Sequence, residues 1–255
     1  MKLDIIFRSC TKVYCVHDDM LRPFNANKRE ITLKCLKSLI NSANSSFSNS
    51  SNNSKNIKIH LFDDHSPEED FIDIKKILEN SGLDFYIERL TKTGNGNSLQ
   101  AVFEYAKKLD SDLLYFCEDD YLHLENSIQS ITQAYQDLTK ILEKEVVIFP
   151  CDYNDRYINP ELSYIFALQD RHWRTVKSTT GTFVISKNIL EKYFDFYLAF
   201  AAYNKIDKGG EWRTIDHIYQ EVDCYSPMPS LTAHLNDDSL LPHFVDWKQL
   251  WDSII

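Results

Sequence analysis

Short apolar runs alternate with amphipathic stretches along the first half of the chain. The apolar runs predict buried strands at residues 3–7, 57–62, 83–90 and 112–117. Apolar residues recur at helical spacing in "REITLKCLKSLI", "FIDIKKILENSG" and "SLQAVFEYAKKLD", and again from about residue 124 to residue 142. This alternation predicts an α/β fold in which a mostly parallel sheet is covered by helices on both faces.

The second half of the chain continues the pattern less regularly. Strands are predicted in "VVIFP", in "TFVIS" after a loop of small residues, and in the Pro-interrupted "CYSPMPSLTAHLND". Helices are predicted in "EKYFDFYLAFAAYN" and, after a glycine turn, in "EWRTIDHIYQEV". Composition does not change between residues 1–125 and 126–255, which favours a single domain. The polar run at 41–56 has almost nothing to bury and predicts a flexible surface loop.

Polar clusters follow three of the predicted strands at the point where each strand ends. They comprise Arg8, Ser9, Asp63, Asp64, Glu118, Asp119 and Asp120. The carboxyl ends of parallel strands open on one edge of a sheet, where ligands bind in such folds. Three adjacent carboxylates at the end of a buried strand repel each other and lose hydration. A hard divalent cation would offset both costs.

Composition and charge narrow the possible partners. The 255 residues carry a net charge of −10, which argues against nucleic acid or an anionic membrane as the main partner. Six scattered cysteines show no metal-binding spacing and are typical of buried, reduced thiols. The first apolar segment is too short for a signal peptide, and no apolar run approaches the ~20 residues of a membrane span. We therefore expect a cytoplasmic protein without an integral membrane segment.

The ordered motifs "FDDHSPEE" and "GNGNSLQAVFEYAKKLDSDLLYFCEDD" resemble the nucleotide-binding half of GT-A glycosyltransferases, specifically the inverting family 2 type. The resemblance implies a GT-A-like, Rossmann-type mixed sheet in one domain. Residues 1–125 would bind the nucleotide sugar, and residues 126–255 would bind the acceptor. It further implies a nucleotide-diphosphate sugar donor, with a UDP-sugar favoured, a hydroxyl acceptor such as a glycan, and Mn²⁺ or Mg²⁺ as cofactor.

The resemblance also assigns roles to the strand-end residues. Asp63 or Asp64 would bind the base, because a carboxylate accepts from an imide N–H, and Arg8 and Ser9 would line the same pocket. The turn at 94–98, with Asn95 and Asn97, would approach the ribose. The triplet Glu118-Asp119-Asp120 stands where the family has its metal-binding DxD motif. We expect Asp120 to bind the metal directly, with Asp119 as the second choice.

A transferase of this kind needs a base for the acceptor hydroxyl. The resemblance implies an aspartate near the start of a helix, and Asp216 lies 96 residues after Asp120. Glu211 is the second candidate. The resemblance also implies that His234 would complete the metal site, since imidazole is a suitable ligand for Mn²⁺, or would contact a phosphate. The aromatic residues near Asp216 would provide a platform for a sugar ring; they are Trp173, Trp212 and Tyr219.

Simpler interpretations of the same residues remain open. The acids after the strands could cap the following helices, and "GNGNS" could be only a turn. A nucleotidyltransferase would also use carboxylates and a metal, but "RSCTKVYCVHDD" lacks the glycine-rich basic phosphate loop expected after the first strand. A non-catalytic module that binds a sugar or a cation is the third possibility. A retaining transferase would share the metal motif and leave Asp216 without a role as base.

Overall fold

The computed structural model describes residues 1–12, 22–46, 56–159, 161–206 and 210–255. Within these residues, eleven strands form two sheets. In chain order they are β1 (Leu3–Ser9), β2 (Ile57–Asp63), β3 (Asp84–Arg89), β4 (Leu113–Glu118), β5 (Tyr121–His123), β6 (Val147–Ile148), β7 (Ile165–Ala167), β8 (His172–Val176), β9 (Phe183–Ser186), β10 (Cys224–Met228) and β11 (Thr232–His234). The larger sheet has the order β3-β2-β1-β4-β9-β6-β10-β8-β7, and β11 pairs with β5 in the smaller one.

Helices connect and cover these strands. They are α1 (Lys28–Ser45), α2 (Glu68–Glu79), α3 (Asn95–Ala106), α4 (Ser127–Leu142), α5 (Asp155–Ile158), α6 (Lys187–Lys192), α7 (Phe194–Tyr203) and α8 (Trp247–Ser253). Short 3₁₀ turns lie at Pro23–Asn25, Glu211–Arg213, Ile215–Gln220 and Asp238–Leu240. No described helix has the length and apolar character needed to cross a membrane.

Parallel pairing of the first strands aligns their carboxyl ends. β1 lies between β2 and β4, with Ser9 opposite Asp63 and Arg8 opposite Glu118. These strands are buried along almost their whole length, because helices cover both faces. The prediction that the three polar clusters open on one edge of a mostly parallel sheet is therefore confirmed.

The second half of the chain extends the same sheet and supplies the smaller one. β9 runs antiparallel to β4 and β6, and β8 runs antiparallel to β10 and β7. The pairing of β11 with β5 sets His234 opposite Tyr121, the residue directly after the acidic triplet. One large cluster of buried side chains runs from Leu3 to Leu231 through both halves, so the fold is a single α/β domain.

Several predicted boundaries were wrong. Residues 41–45 of the predicted polar loop belong to α1, whose buried face continues through Ala43, while residues 47–55 lie outside the described residues. The helix predicted in "EWRTIDHIYQEV" is two 3₁₀ turns. The helix predicted from about residue 124 begins only at Ser127, and the N–H of Leu124 instead donates to the carbonyl of Leu231. Five cysteines are free thiols, as expected, and Cys15 lies outside the described part of the chain.

Candidate active site

Arg8 connects three elements at the carboxyl edge of the sheet. Its guanidinium donates to Glu118 Oε1 at 2.7 Å, to Asn95 Oδ1 at 2.8 Å and to Ser98 Oγ at 2.8 Å. Burial raises the pKa of the Glu118 carboxyl, and the positive charge of Arg8 only partly opposes that rise. The ion pair thus holds the end of β4 against the first turn of α3.

Asp63 and Asp64 have different surroundings. Asp63 is fully buried and accepts hydrogen bonds from the Ser9 hydroxyl and the Ser66 N–H, with Nε of Arg89 3.3 Å away. It therefore closes the turn before α2. Asp64 accepts from the N–H of Gly94 at 2.8 Å, and its other oxygen lies 3.1 Å from Nδ1 of His65. Gly94 has φ +101°, a backbone conformation that residues with a Cβ rarely adopt.

Both oxygens of Asp119 are engaged by donors from the protein. Oδ2 accepts from the N–H of Cys10 at 2.8 Å and from the Thr32 hydroxyl at 2.9 Å. Oδ1 accepts from the ammonium of Lys28 at 2.5 Å. Asp119 thus ties the end of β1 and the first turns of α1 to the end of β4, and this carboxylate has a structural role in the site.

Asp120 has one oxygen toward Lys28 and one toward His234. Its Oδ2 lies 3.4 Å from the ammonium of Lys28, and its Oδ1 lies 3.4 Å from Nε2 of His234. Burial alone would raise the pKa of Asp120, but the charges of Lys28 and His234 more than offset burial and lower that pKa. Burial would likewise lower the pKa of Lys28, and Asp119 and Asp120 instead raise it. Asp120 is therefore a carboxylate, and Lys28 an ammonium, at neutral pH.

Two tyrosines position the imidazole of His234. Nδ1 lies 2.7 Å from the hydroxyl of Tyr153, which in turn lies 2.7 Å from the hydroxyl of Tyr121. The imidazole also stacks on the ring of Tyr121, with ring centroids 4.6 Å apart and an angle of 11° between the planes. These contacts fix the ring so that Nε2 faces Asp120.

The pair formed by Asp120 and His234 fits a divalent cation. Oδ1 of Asp120 is buried and receives no hydrogen bond from the described residues, so it has an unused lone pair. Nδ1 of His234 is occupied by Tyr153, so Nε2 of the neutral imidazole would be the nitrogen that binds a metal, the usual arrangement of a metal-binding histidine. Across the described ranges, no three His, Cys, Asp or Glu side chains are arranged to hold a metal ion. Two protein ligands plus phosphate oxygens are typical of Mg²⁺ at phosphate-binding sites.

Residues 179–182 link the acidic triplet to Asp216. The N–H of Thr179 donates to Asp216 Oδ1 at 3.3 Å, and the hydroxyl of Thr182 accepts from the N–H of Glu118 at 3.0 Å. A Cβ at Gly181 would lie 2.7 Å from an oxygen of Glu118, so a larger residue here would displace the Glu118 carboxylate. The same short loop therefore contacts both candidate functional regions.

Asp216 and Glu211 occupy the two adjacent 3₁₀ turns beside this loop. Burial raises the pKa of Asp216 to about 7, helped by the negative charge of Glu211 and opposed by the Thr179 hydrogen bond. Burial also raises the pKa of Glu211, whose charge in turn acts on Glu118. The charge of Glu211 therefore raises the pKa of Asp216 on one side and that of Glu118, in the triplet, on the other.

Of the three aromatic residues predicted near Asp216, one is available to a ligand. Trp173 is fully buried in β8, and Tyr219 is buried with its hydroxyl bonded to Thr179. The indole of Trp212 is 64% exposed and stacks against the guanidinium of Arg213. Trp212 alone could thus offer a ring face to a sugar.

The structure brings most of the predicted site residues together and separates one of them. Asn97 donates to the carbonyl of Thr93 and lines a different groove, with Glu88 and Lys92. Sequence reasoning missed three contributors: Lys28, Tyr153 and the loop at 179–182. Asn27 caps α1 by accepting from the N–H of Glu30, which places Lys28 at the start of the helix, but nothing in the local sequence indicates that this helix end lies beside the acidic triplet.

Comparison with known proteins defines the class. A family model for glycosyl transferase family 2 matches residues 24–198, well over half of the chain. The chain belongs to this family, and the resemblance seen in its motifs is confirmed at that level. A search of curated proteins finds no match.

Solved structures share the fold at low sequence identity. GalNAc-T7 with UDP, GalNAc and Mn²⁺ matches with a TM-score of 0.57 and 12% identity over 94% of this chain and 45% of that one. S. aureus TarS 1–349 with UDP gives 0.52 and 12%, over 89% and 60%. Apo UDP-glucose pyrophosphorylase gives 0.52 and 10%, over 93% and 94%. The chain thus spans about half the length of the transferases it matches.

Proposed function

We propose that the protein transfers a sugar from a nucleotide-diphosphate donor to a hydroxyl group of a glycan or another acceptor. The observation that carries the proposal is the arrangement of Arg8, Asp64, Glu118 and Asp120 on one sheet edge, in a chain of glycosyl transferase family 2. UDP is the favoured nucleotide, because the TarS and GalNAc-T7 structures that share the fold both hold UDP.

The nucleotide would occupy the edge formed by β1, β2 and β4. Asp64 would accept from the imide N–H of the base, since the neighbouring Asp63 is fully buried and engaged. Ser9, also buried, would support the pocket through its hydrogen bond to Asp63. Glu118, partly exposed and held by Arg8, would accept from a ribose hydroxyl, with Asn95 beside it.

Asp120 and His234 would hold Mn²⁺ or Mg²⁺. When bound, the cation would neutralise charge on the donor's diphosphate as the leaving group departs. Oδ1 of Asp120, which accepts no hydrogen bond from the described residues, and the oriented Nε2 of His234 support this assignment. Asp119, the second metal candidate, would keep its three internal hydrogen bonds and hold the neighbouring residues in place.

Asp216 would act as the catalytic base. It would take the proton of the acceptor hydroxyl while the hydroxyl oxygen attacks C1 of the sugar. The bond between C1 and the diphosphate oxygen would break on the opposite face, so the configuration at C1 would invert. A pKa near 7 suits a base that works at neutral pH. Glu211 remains the second candidate, and the exposed face of Trp212 would stack against a sugar ring.

Product analysis distinguishes the proposal from its alternatives. The protein is incubated with Mn²⁺ and UDP-, GDP-, dTDP- and CMP-sugars, and nucleotide release is measured by chromatography and mass spectrometry. Release from one donor, faster with an acceptor glycan, supports a transferase. Pyrophosphate from UTP and a sugar 1-phosphate would instead identify a nucleotidyltransferase. Cation binding without any nucleotide turnover or binding would leave a non-catalytic module and contradict the proposal.

A further inference from the structure

Lys28 occupies a position between two of the three acids of the triplet. Its ammonium contacts Asp119 at 2.5 Å and Asp120 at 3.4 Å, and its side chain is only 11% exposed. As the first residue of α1, it is held at the site by a helix that packs in the core. Lys28 therefore already supplies a buried positive charge to two carboxylates of this acidic cluster.

The charges around the triplet are nearly balanced within the protein. Glu118 forms an ion pair with Arg8, and Lys28 forms ion pairs with Asp119 and Asp120. The guanidinium of Arg22 also lies close enough to lower the pKa of Asp120, and one of its buried N–H groups has no partner among the described residues. Among the described residues, Arg8, Lys28 and Arg22 thus offset much of the negative charge of Glu118, Asp119 and Asp120, so a divalent cation that enters alone gains less attraction than three free carboxylates would give.

We propose that Lys28 is an internal counter-ion that makes metal binding at Asp120 depend on the donor's diphosphate. A cation on Oδ1 and the ammonium beside Oδ2 share one carboxylate, and their like charges repel in a poorly hydrated site. A diphosphate brings the negative charge that relieves this repulsion, with the N–H of Arg22 that has no partner among the described residues as an additional donor. The inference rests on the proposed function, because it takes Asp120 as a metal ligand.

This arrangement has a thermodynamic consequence that binding measurements can detect. If the diphosphate strengthens cation binding, the cation must strengthen diphosphate binding by the same factor. Replacing Lys28 with a neutral side chain of similar length removes the competing charge. Mn²⁺ alone then binds more tightly, and the factor by which UDP strengthens Mn²⁺ binding becomes smaller.

The experiment measures free Mn²⁺ by electron paramagnetic resonance, with and without UDP, in the wild type, Lys28→Met and Lys28→Arg. We expect UDP to tighten Mn²⁺ binding by about a hundredfold in the wild type. In Lys28→Met, Mn²⁺ alone should bind about tenfold more tightly than in the wild type, and the effect of UDP should shrink accordingly. Lys28→Arg keeps the charge and should retain strong coupling.

Lys34→Met is the matched control, because Lys34 lies on the same helix and donates to the carbonyl of Trp251, away from the triplet. Unchanged or weaker binding of Mn²⁺ alone to folded Lys28→Met overturns the inference. If Lys28→Met does not fold, as judged by circular dichroism, the wild type still decides: equal Mn²⁺ affinity with and without UDP overturns it. Failure of UDP to bind the wild type in Mn²⁺ would instead refute the proposed function.

Discussion

Oδ1 of Asp120 lies 3.4 Å from Nε2 of His234, although the two residues are far apart in the sequence. Asp120 lies in the two-residue turn between β4 and β5, and His234 ends β11, which pairs with β5. The hydroxyl of Tyr153 holds the opposite nitrogen of the imidazole. Sheet pairing and one tyrosine therefore assemble the candidate metal pair.

Tyr153→Phe tests the role of that tyrosine. Removing the hydroxyl frees Nδ1 of His234, so the imidazole is no longer held with Nε2 toward Asp120. We expect Mn²⁺ affinity in the presence of UDP to fall by about tenfold, as for other partners of metal-binding histidines. Tyr164→Phe, at a residue 71% exposed, is the control. Unchanged Mn²⁺ affinity in folded Tyr153→Phe would show that the hydroxyl does not orient the ligand.

Asp119→Ala should reduce stability. The substitution removes the acceptor of Cys10, Thr32 and Lys28 and leaves the buried ammonium with only the longer contact to Asp120. We expect the free energy of unfolding at pH 7 to fall by about 3 kcal/mol in urea denaturation. Asp252→Asn, which alters an exposed pair with Lys248, should change it by less than about 0.5 kcal/mol. Equal stabilities would refute the structural role of Asp119.

Asp216→Asn should separate chemistry from donor binding. Loss of a general base lowers kcat by about 10²–10⁴-fold, whereas Asn keeps the size of the side chain and can still accept from the N–H of Thr179. UDP affinity, measured by calorimetry, should stay within about twofold of the wild type. Glu211→Gln is the matched comparison. A larger loss of kcat in Glu211→Gln than in Asp216→Asn would transfer the role of base to Glu211.

The pKa of Asp216 predicts the pH dependence. Burial raises that pKa to about 7, so the carboxyl is mostly protonated below this pH and cannot accept a proton. We expect kcat/KM to rise about tenfold per pH unit below 7 and to level off above it. The initial rate of nucleotide release between pH 5.5 and 9 measures this profile. A rate that is flat or falls between pH 6 and 7.5 would contradict Asp216 as the base.

Local patterns were sufficient to predict the first half of the fold. Strands buried on both faces appear as short apolar runs, and amphipathic helices appear through their spacing, so β1 to β4 and α1 to α3 were found within a few residues. Parallel strands place their carboxyl ends together, so the sequence was sufficient to predict that Arg8 and Glu118 lie on the same edge of the sheet.

The rest depended on contacts between distant segments. The short β7, which is exposed, and the following β8 show no clear alternation of apolar and polar residues. The 3₁₀ turns around Asp216 have apolar residues at a spacing that is also typical of an α-helix. Lys28 is similar in sequence context to Lys34 and Lys37, which follow it on α1, and only packing of that helix against β5 brings its ammonium to Asp119. Such long-range placement leaves little trace in local spacing.

The proposed function depends most on the binding of a nucleotide diphosphate through a divalent cation held at Asp120. Calorimetric titration of UDP in Mn²⁺ and then in EDTA, on the wild type and on Asp120→Asn, tests it most directly. Asp84→Asn, exposed at the opposite end of the strands, is the control. We expect binding in the wild type and Asp84→Asn with Mn²⁺, and its loss in EDTA or in Asp120→Asn. UDP binding that persists unchanged in EDTA and in Asp120→Asn would contradict the account.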